Sequence, residues 1–287
     1  MKRRTFIRSG LAGATLLSAF PYELLAGYKK IYPHDRVKLG NTEIAMSRMA
    51  MGTGTNGSGG SSNQTRQLGI KGMSDMLRAA FDSGINFWDS ADQYGSHPHL
   101  KEALKSIRRE EVVILTKTNS SNYKDVKKDL ERFKSEIGTD YFDIVLLHAI
   151  RDPEWNINMK GAMEALTEAK EEGTILAHGL SCHSLGALKT AADEPWVDVD
   201  LARYNPGGVS MDADIRTVTE VLSRMKNNGK AIIGMKVYGA GRLVDKKDEC
   251  LQFHIGAGLM DHFTLGIESI EQLKDIQKRF PEASVRG

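Results

Sequence analysis

The chain has 287 residues, 40% of them hydrophobic and 26% charged, with a formal net charge of +2. That length fits one large domain or two small ones, and the composition excludes a disordered or collagen-like chain. A charge so near neutrality offers no basic field, so neither nucleic acid nor an anionic membrane is expected as a partner. The two cysteines, Cys182 and Cys250, stand far apart without metal-type spacing and read as separately buried thiols.

The chain opens MKRRTFIRSG. Lys2, Arg3 and Arg4 form a basic region, and residues 11–20 form a mildly apolar run, too short to span a bilayer but suited to a signal. The paired arginines followed by Thr, Phe and Ile resemble a twin-arginine export signal, which implies carriage of the folded protein by twin-arginine export machinery to the periplasm or beyond. Residues 1–27 are assigned to this segment. Ala19 and Ala26 are its candidate cleavage ends, each with Leu close upstream, so an uncleaved anchor stays open. The alternative is an ordinary basic N-terminus on an amphipathic helix.

From Arg36 the pattern becomes regular. RVKLGNTEIAMSR reads as a hairpin turning at Gly40–Asn41. Strands then alternate with helices. The strands are MAMGTG, INFWDSA, VVILTK, FDIVLLH, ILAHGLS, VDVDLARYN, AIIGMKV and FTLGI. The helices are KGMSDMLRAAFDSG, LKEALKSI, YKDVKKDLERFKSEIG, MKGAMEALTEAKEEG, LGALKTAAD, DIRTVTEVLSRMKNNG, a weaker CLQFHIGAGL and IEQLKDIQKRF. Gly84, Gly138 and Gly173 close three of the helices, where a terminal glycine is expected. The strands are nearly continuous apolar runs, as parallel strands buried on both faces require. Eight such alternations predict an α/β fold, a (β/α)8 TIM barrel with an N-terminal β-hairpin, over residues 36–287. An open doubly wound sheet is the alternative, but no strand–GxGxxG–helix unit appears. GTGTNGSGG, from Gly52, reads as a mobile loop over a site, with no helix following at once.

Barrel enzymes place their sites at the C-terminal strand ends. There the sequence puts Asp89 with Tyr94 beyond it, then Lys117, His148, Ser181 and His183, Tyr204 and Asn205, Lys236 and Tyr238, and Glu268 and Ser269. Asp, Lys and His each close a long apolar strand, and burying such groups unpaired is costly. His97-x-His99 has the residue type of a metal pair, but two histidines beside a proline in a loop read as exposed, so no metal is expected.

FWDSADQYG (87–95), ILTK (114–117), YFDIVLLH (141–148), GLSCH (179–183) and RYN (203–205) together resemble the aldo-keto reductase family, over roughly residues 36–267. With the leader, the chain looks like an exported bacterial branch of that family. The resemblance implies an NAD(P)-dependent oxidoreductase interconverting a carbonyl and an alcohol, with a catalytic tetrad of Asp89, Tyr94, Lys117 and His148. Tyr94 would donate the proton as hydride reaches the carbonyl carbon. A free tyrosine, pKa about 10, is poor at this, and Lys117 would lower it. Asp89 would hold Lys117, and His148 would orient the carbonyl oxygen.

The resemblance also implies NADP(H) or NAD(H) as cofactor. Ser181 takes the carboxamide position, Tyr204 the ring that stacks on the nicotinamide, and residues 236–242, with Lys236, Tyr238, Gly239 and Arg242, the pyrophosphate loop. Gly52, Thr53, Asn205 and Ser269 complete the cofactor-binding candidates. Trp88 reads as a pocket wall or a core residue. The family's basic grip on the adenosine 2′-phosphate is not visible; Glu268, Ser269 and Gln272 stand there instead, leaving NADP and NAD both open. Little chain follows the last helix, so an open pocket is expected. A small carbonyl or alcohol substrate of sugar type, a tightly held cofactor and a monomer complete the reading. The alternatives are a nicotinamide- or ligand-binding protein on a reductase scaffold, without turnover, or an unrelated barrel hydrolase or isomerase.

Overall fold

A computed structural model describes residues 30–285; the export segment assigned to residues 1–27 lies outside them. Strands β1 (Arg36–Lys38) and β2 (Ala45–Ser47) pair antiparallel, with Val37 opposite Met46. The turn between them needs Gly40, at φ 51°, where a Cβ would also stand 2.8 Å from Ala231 Cβ. Leu39, Ile44 and Met46 of this hairpin are buried against Ala50, Phe87, Ile144 and Ile233, so the hairpin plugs the barrel floor.

The barrel follows. Its elements are β3 (Met49–Gly52), α1 (Asn63–Asp82), β4 (Phe87–Asp89), α2 (His97–Leu104), β5 (Val113–Thr118), α3 (Tyr123–Ile137), β6 (Phe142–Ile150), α4 (Trp155–Asn158) and α5 (Lys160–Glu171). Then come β7 (Ile175–Cys182), α6 (Leu185–Asp193), β8 (Val199–Arg203), α7 (Ile215–Asn227), β9 (Ala231–Met235), α8 (Lys247–Gly256), β10 (His262–Gly266) and α9 (Ile270–Ala283). The eight strands from β3 to β10 close into one parallel barrel, β10 pairing with both β3 and β9. This is the (β/α)8 architecture that the strand count predicts.

Strand alternation sorts the side chains into two layers. On β4 and β8, Phe87, Val199 and Leu201 face the barrel interior, while Trp88 and Ala202 face the helices. The helices bury one stripe each. In α3, Asn122 caps the start, and Val126, Leu130, Phe133 and Ile137 repeat every three or four residues on the buried face. Burial of each contributes about 1.5–3 kcal/mol. Gly138 ends this helix at φ 75°, its N–H returning to Lys134 O at 2.8 Å, a left-handed cap that favours glycine.

Three local expectations are corrected. Helix α1 begins at Asn63, directly after the glycine-rich loop, because Ser62 and Thr65 form a reciprocal capping box. Gly69, at φ 60°, breaks the helical path and hides its early turns from the periodicity. His97 and His99 lie in α2 rather than in an exposed loop, and both are buried. His97 bonds Glu136 at 2.7 Å and Thr116 at 2.8 Å. Finally, the short α4 was not visible as a separate helix in the sequence pattern.

Candidate active site

The barrel brings Asp89, Lys117 and His148 to the C-terminal rim on three adjacent strands, β4, β5 and β6. Lys117 is 0% exposed. Its ammonium donates to one Asp89 carboxylate oxygen and, at 2.7 Å, to Ser90 O. The other Asp89 oxygen accepts from Thr264 Oγ1 of β10 at 2.7 Å. Thr53 Oγ1 donates to Asp89 O at 2.8 Å and touches Ser96 Oγ at 2.9 Å, so hydroxyls fix the backbone beneath the pair.

Tyr94 ends a single tight helical turn, residues 92–94, that follows β4. Gly95 closes the turn at φ 63°, and a Cβ there would fall 2.0 Å from Gly60 O. The turn lays the Tyr94 ring over Lys117, with Nζ 4.9 Å from the ring centroid, a cation–π distance. The Tyr94 hydroxyl lies 3.4 Å from His148 Nε2, and the Gln93 amide nitrogen lies 3.2 Å from His148 Nδ1. The glycine-rich loop packs against the ring: a Cβ on Gly54 or Gly57 would come within 2.2 or 2.3 Å of Tyr94 ring carbons.

Burial sets the protonation states. Burial pushes the Tyr94 phenol above its usual range, and Asp89 adds to this; Lys117 pulls the other way without reversing it. Lys117 lowers the phenol as the sequence leads one to expect, but burial is the larger effect and leaves it above its usual range. Burial pulls Lys117 down too, but Asp89 and Tyr94 outweigh it, so Lys117 stays charged. Burial, Lys117 and His183 together push His148 down to about 2, so it acts as a neutral imidazole.

A cleft of about 690 Å³ opens beside these groups, lined by Asp89, Tyr94 and His148. That is within the roughly 300–1,000 Å³ of small-molecule sites. Of the cofactor-binding candidates, Gly52, Ser181, Lys236 and Tyr238 line it. Thr53 lies beneath, on the Asp89 backbone. Tyr204 does not reach the cleft: its ring stacks on Phe253 at 4.8 Å and its hydroxyl bonds Thr219 at 2.8 Å. Strand parity explains this, since Tyr204 shares the outward side of Asp200 and Ala202. Asn205 ties two loops together through Val209 O and Lys236 O. Gly239 packs on Leu243, Arg242 donates to the Ser210 hydroxyl, and Ser269 caps α9. Trp88, facing the helices, is core and not pocket wall.

Sequence reasoning missed Gln93, Leu201, Met235, Lys247 and Thr264, which also line the cleft. The same parity points to two of them: Leu201 and Met235 continue the inward rows of β8 and β9. Asp92, His97 and Glu136 approach one another within 4.8 Å, but Arg132 already lies against Asp92 at 2.7 Å and Glu136 at 3.0 Å.

The Aldo/keto reductase family model matches residues 48–283. The chain belongs to the aldo/keto reductase family. It is 28% identical over 219 residues to the NADH-specific methylglyoxal reductase of Escherichia coli (strain K12), covering 68% of this chain and 64% of that one. It is 25% identical over 205 residues to the D-threo-aldose 1-dehydrogenase of a Pseudomonas species, covering 60% and 61%. The matched region thus spans slightly under two thirds of these relatives. A Pseudomonas aeruginosa structure named as an aldo-keto reductase superposes with a TM-score of 0.74 at 22% identity, covering 88% of this chain and 96% of that one. This last likeness speaks to the fold.

The residues present fit the nicotinamide dinucleotide that this family uses. Leu201 and Met235 give an apolar face beside the tetrad, and the Ser181 hydroxyl, which accepts from Ala149 N at 2.8 Å, keeps its own proton to donate. Lys236, the small residues Ala240 and Gly241, and Glu268 also line the cleft.

Proposed function

We propose that the protein is an NAD(P)-dependent oxidoreductase that interconverts a small carbonyl and its alcohol, with Tyr94 as proton donor. The observation that carries this is the convergence of Asp89, Lys117, Tyr94 and His148 on one cleft wall. A bound nicotinamide supplies the hydride for reduction, or receives it for oxidation. Tyr94, protonated at neutral pH, hands its proton to the carbonyl oxygen as negative charge develops there. Lys117 lies over the ring that is left as a phenolate and stabilises it, and Asp89 fixes Lys117 in place. Neutral His148 hydrogen-bonds the same oxygen and orients it. In the reverse direction the phenolate is the base, so alcohol oxidation rises with pH.

The cofactor is NAD(H) rather than NADP(H). Glu268, which lines the cleft two residues past β10, suits ribose hydroxyls and repels a 2′-phosphate. Lys247, which also lines the cleft, is paired with Asp275 at 2.8 Å. The substrate is a small aldehyde, ketone or sugar-type carbonyl, the class named for the relatives. The twin-arginine leader takes the folded protein out of the cytoplasm with its cofactor already bound, and a second substrate renews it in place.

Purifying the full chain, denaturing it and identifying the released nicotinamide tests the loading. Fluorescence titration with NADH and NADPH, followed by a carbonyl-reduction assay, tests the rest. Tighter NADH binding with turnover supports the reading. Binding without turnover of any aldehyde, ketone or sugar would leave a ligand-binding protein on the same scaffold.

A further inference from the structure

We propose that the wall formed by His183 and Lys236, backed by Arg151 and Arg203, receives an anionic group of the substrate, a carboxylate or phosphate carried near the reacting carbonyl. This rests on the oxidoreductase reading and names its substrate class. His183 stands one residue past β7 and Lys236 one residue past β9, and both line the cleft that holds Tyr94 and His148. Arg151 follows the end of β6, three residues beyond His148.

The charges here do not balance. Arg203 is held by Asp212, with Nε 3.4 Å from Oδ2. Asp212 is the carboxylate that offsets these cations at Lys236, and it is already committed to Arg203. Arg242 adds a further positive charge nearby and is itself bonded to a hydroxyl, Ser210. No ion pair to Arg151 or Lys236 forms among the described residues. Burial and these cations pull Lys236 below the usual lysine range and push His183 down to about 3. An anion bound between them would reverse both effects. Lys236 also holds a backbone φ of 54°, a conformation that non-glycine residues rarely adopt and that clusters at ligand sites.

A cofactor diphosphate has the same anionic chemistry. Substrate is favoured because the wall adjoins the reacting centre: His183 N donates to Ile150 O at 2.7 Å and Ala149 N donates to Ser181 Oγ at 2.8 Å, which seats His183 beside the end of β6 that carries His148 and leads into Arg151. Glu268 and Asp275 also line the cleft, but they follow β10, and Asp275 is already paired with Lys247.

The test compares two aldehydes of matched chain, succinic semialdehyde and butanal, in wild type, Lys236→Gln and Arg151→Gln. Direct titration with NADH runs beside it, as does calorimetric titration with succinate, which needs no turnover. The expected result is a wild-type kcat/KM preference for the carboxylated aldehyde that falls about tenfold in Lys236→Gln and several-fold in Arg151→Gln. NADH affinity stays within about twofold in Arg151→Gln, and succinate binding weakens in parallel with the preference. A wild type with no preference and no succinate binding overturns the proposal. So do variants that keep the preference and lose NADH affinity, which would assign the wall to the cofactor diphosphate. Succinate binding that depends on Lys236, with neither aldehyde reduced, would uphold the wall and sink the oxidoreductase reading instead.

Discussion

The barrel carries an ion pair on a buried carboxylate at each end, and the two are built differently. On the floor, Arg109 meets Asp143 at 2.7 Å, and also bonds Thr139 Oγ1 at 2.9 Å, Val112 O at 2.7 Å and Tyr141 O at 3.1 Å. Asp143 in turn accepts from Ile114 N at 2.8 Å. All the polar partners on this side are supplied by the chain itself. On the rim, Lys117 meets Asp89 and Ser90 O, and its remaining side faces the Tyr94 ring, which borders the cleft. Both pairs cost several kcal/mol to desolvate, and neither is by itself a source of stability. A satisfied pair on the floor holds strands together; a pair open on one side holds a reactive group. Barrel enzymes use their two ends in this way.

Tyr94→Phe puts the sharpest demand on this contrast. The ring, its packing on Gly54 and its contact with Lys117 remain, and only the hydroxyl leaves. Carbonyl reduction should fall by about 10²–10⁴-fold, while NADH affinity is retained. A variant with more than a tenth of the parental kcat would remove Tyr94 from the proton path. Arg109→Leu probes the other end. It strands Asp143, whose carboxyl burial already pushes upward, and should cost roughly 3–5 kcal/mol of stability in urea unfolding. The kcat/KM per folded molecule should not change. A large kcat loss in the folded variant would show that the two ends are not separable.

Gly54→Ala tests how tightly the rim is held. A Cβ at Gly54 would lie 2.2 Å from a Tyr94 ring carbon, so the ring or the loop must move. A displacement near 1 Å from productive geometry costs about 10²-fold. The loss should fall on kcat/KM, with the melting temperature shifted by only a few degrees. Unaltered kinetics would mean that the loop yields and the ring does not.

The fold was legible because its signals are local and repeated. Apolar runs such as VVILTK and amphipathic stretches such as YKDVKKDLERFKSEIG each specify their element without help from distant residues. Asp89, Lys117 and His148 were legible as polar groups that each close an apolar strand; Tyr94 and the grouping into a tetrad followed from the family resemblance. The resemblance assigned Tyr204 to the nicotinamide, but counting alternate residues from Val199 turns it outward. The same count would have found Leu201 and Met235. The capping box at Ser62 was masked by the glycines before it and by Gly69 after it. The net effect on Tyr94 could not be read from residue types, since it turns on how deeply the phenol is buried, and burial outweighs the pull of Lys117.

A third buried charge completes the comparison, because it lacks what both pairs have. Asp200 lies on the outward side of β8 and is 0% exposed. Neither of its carboxylate oxygens has a hydrogen-bond partner meeting ordinary geometry among the described residues. Burial pushes its carboxyl up to about 7 against the pull of the neighbouring Cys182, and Asp212 adds a smaller push upward. The folded chain therefore keeps the proton that the unfolded chain gives up near the ordinary carboxylate pKa. The stability is full below that pKa, falls as pH rises, and has been lost once pH passes about 7. Asp200→Asn removes the titration. The variant should match the parent at acid pH and exceed it by roughly 1–3 kcal/mol at pH 8, the scale of an unpartnered buried polar group. Urea midpoints taken at both pH values decide it. If parent and variant move in parallel with pH, Asp200 has found a partner, and the floor pair, the rim pair and this acid would all obey one rule of satisfied burial.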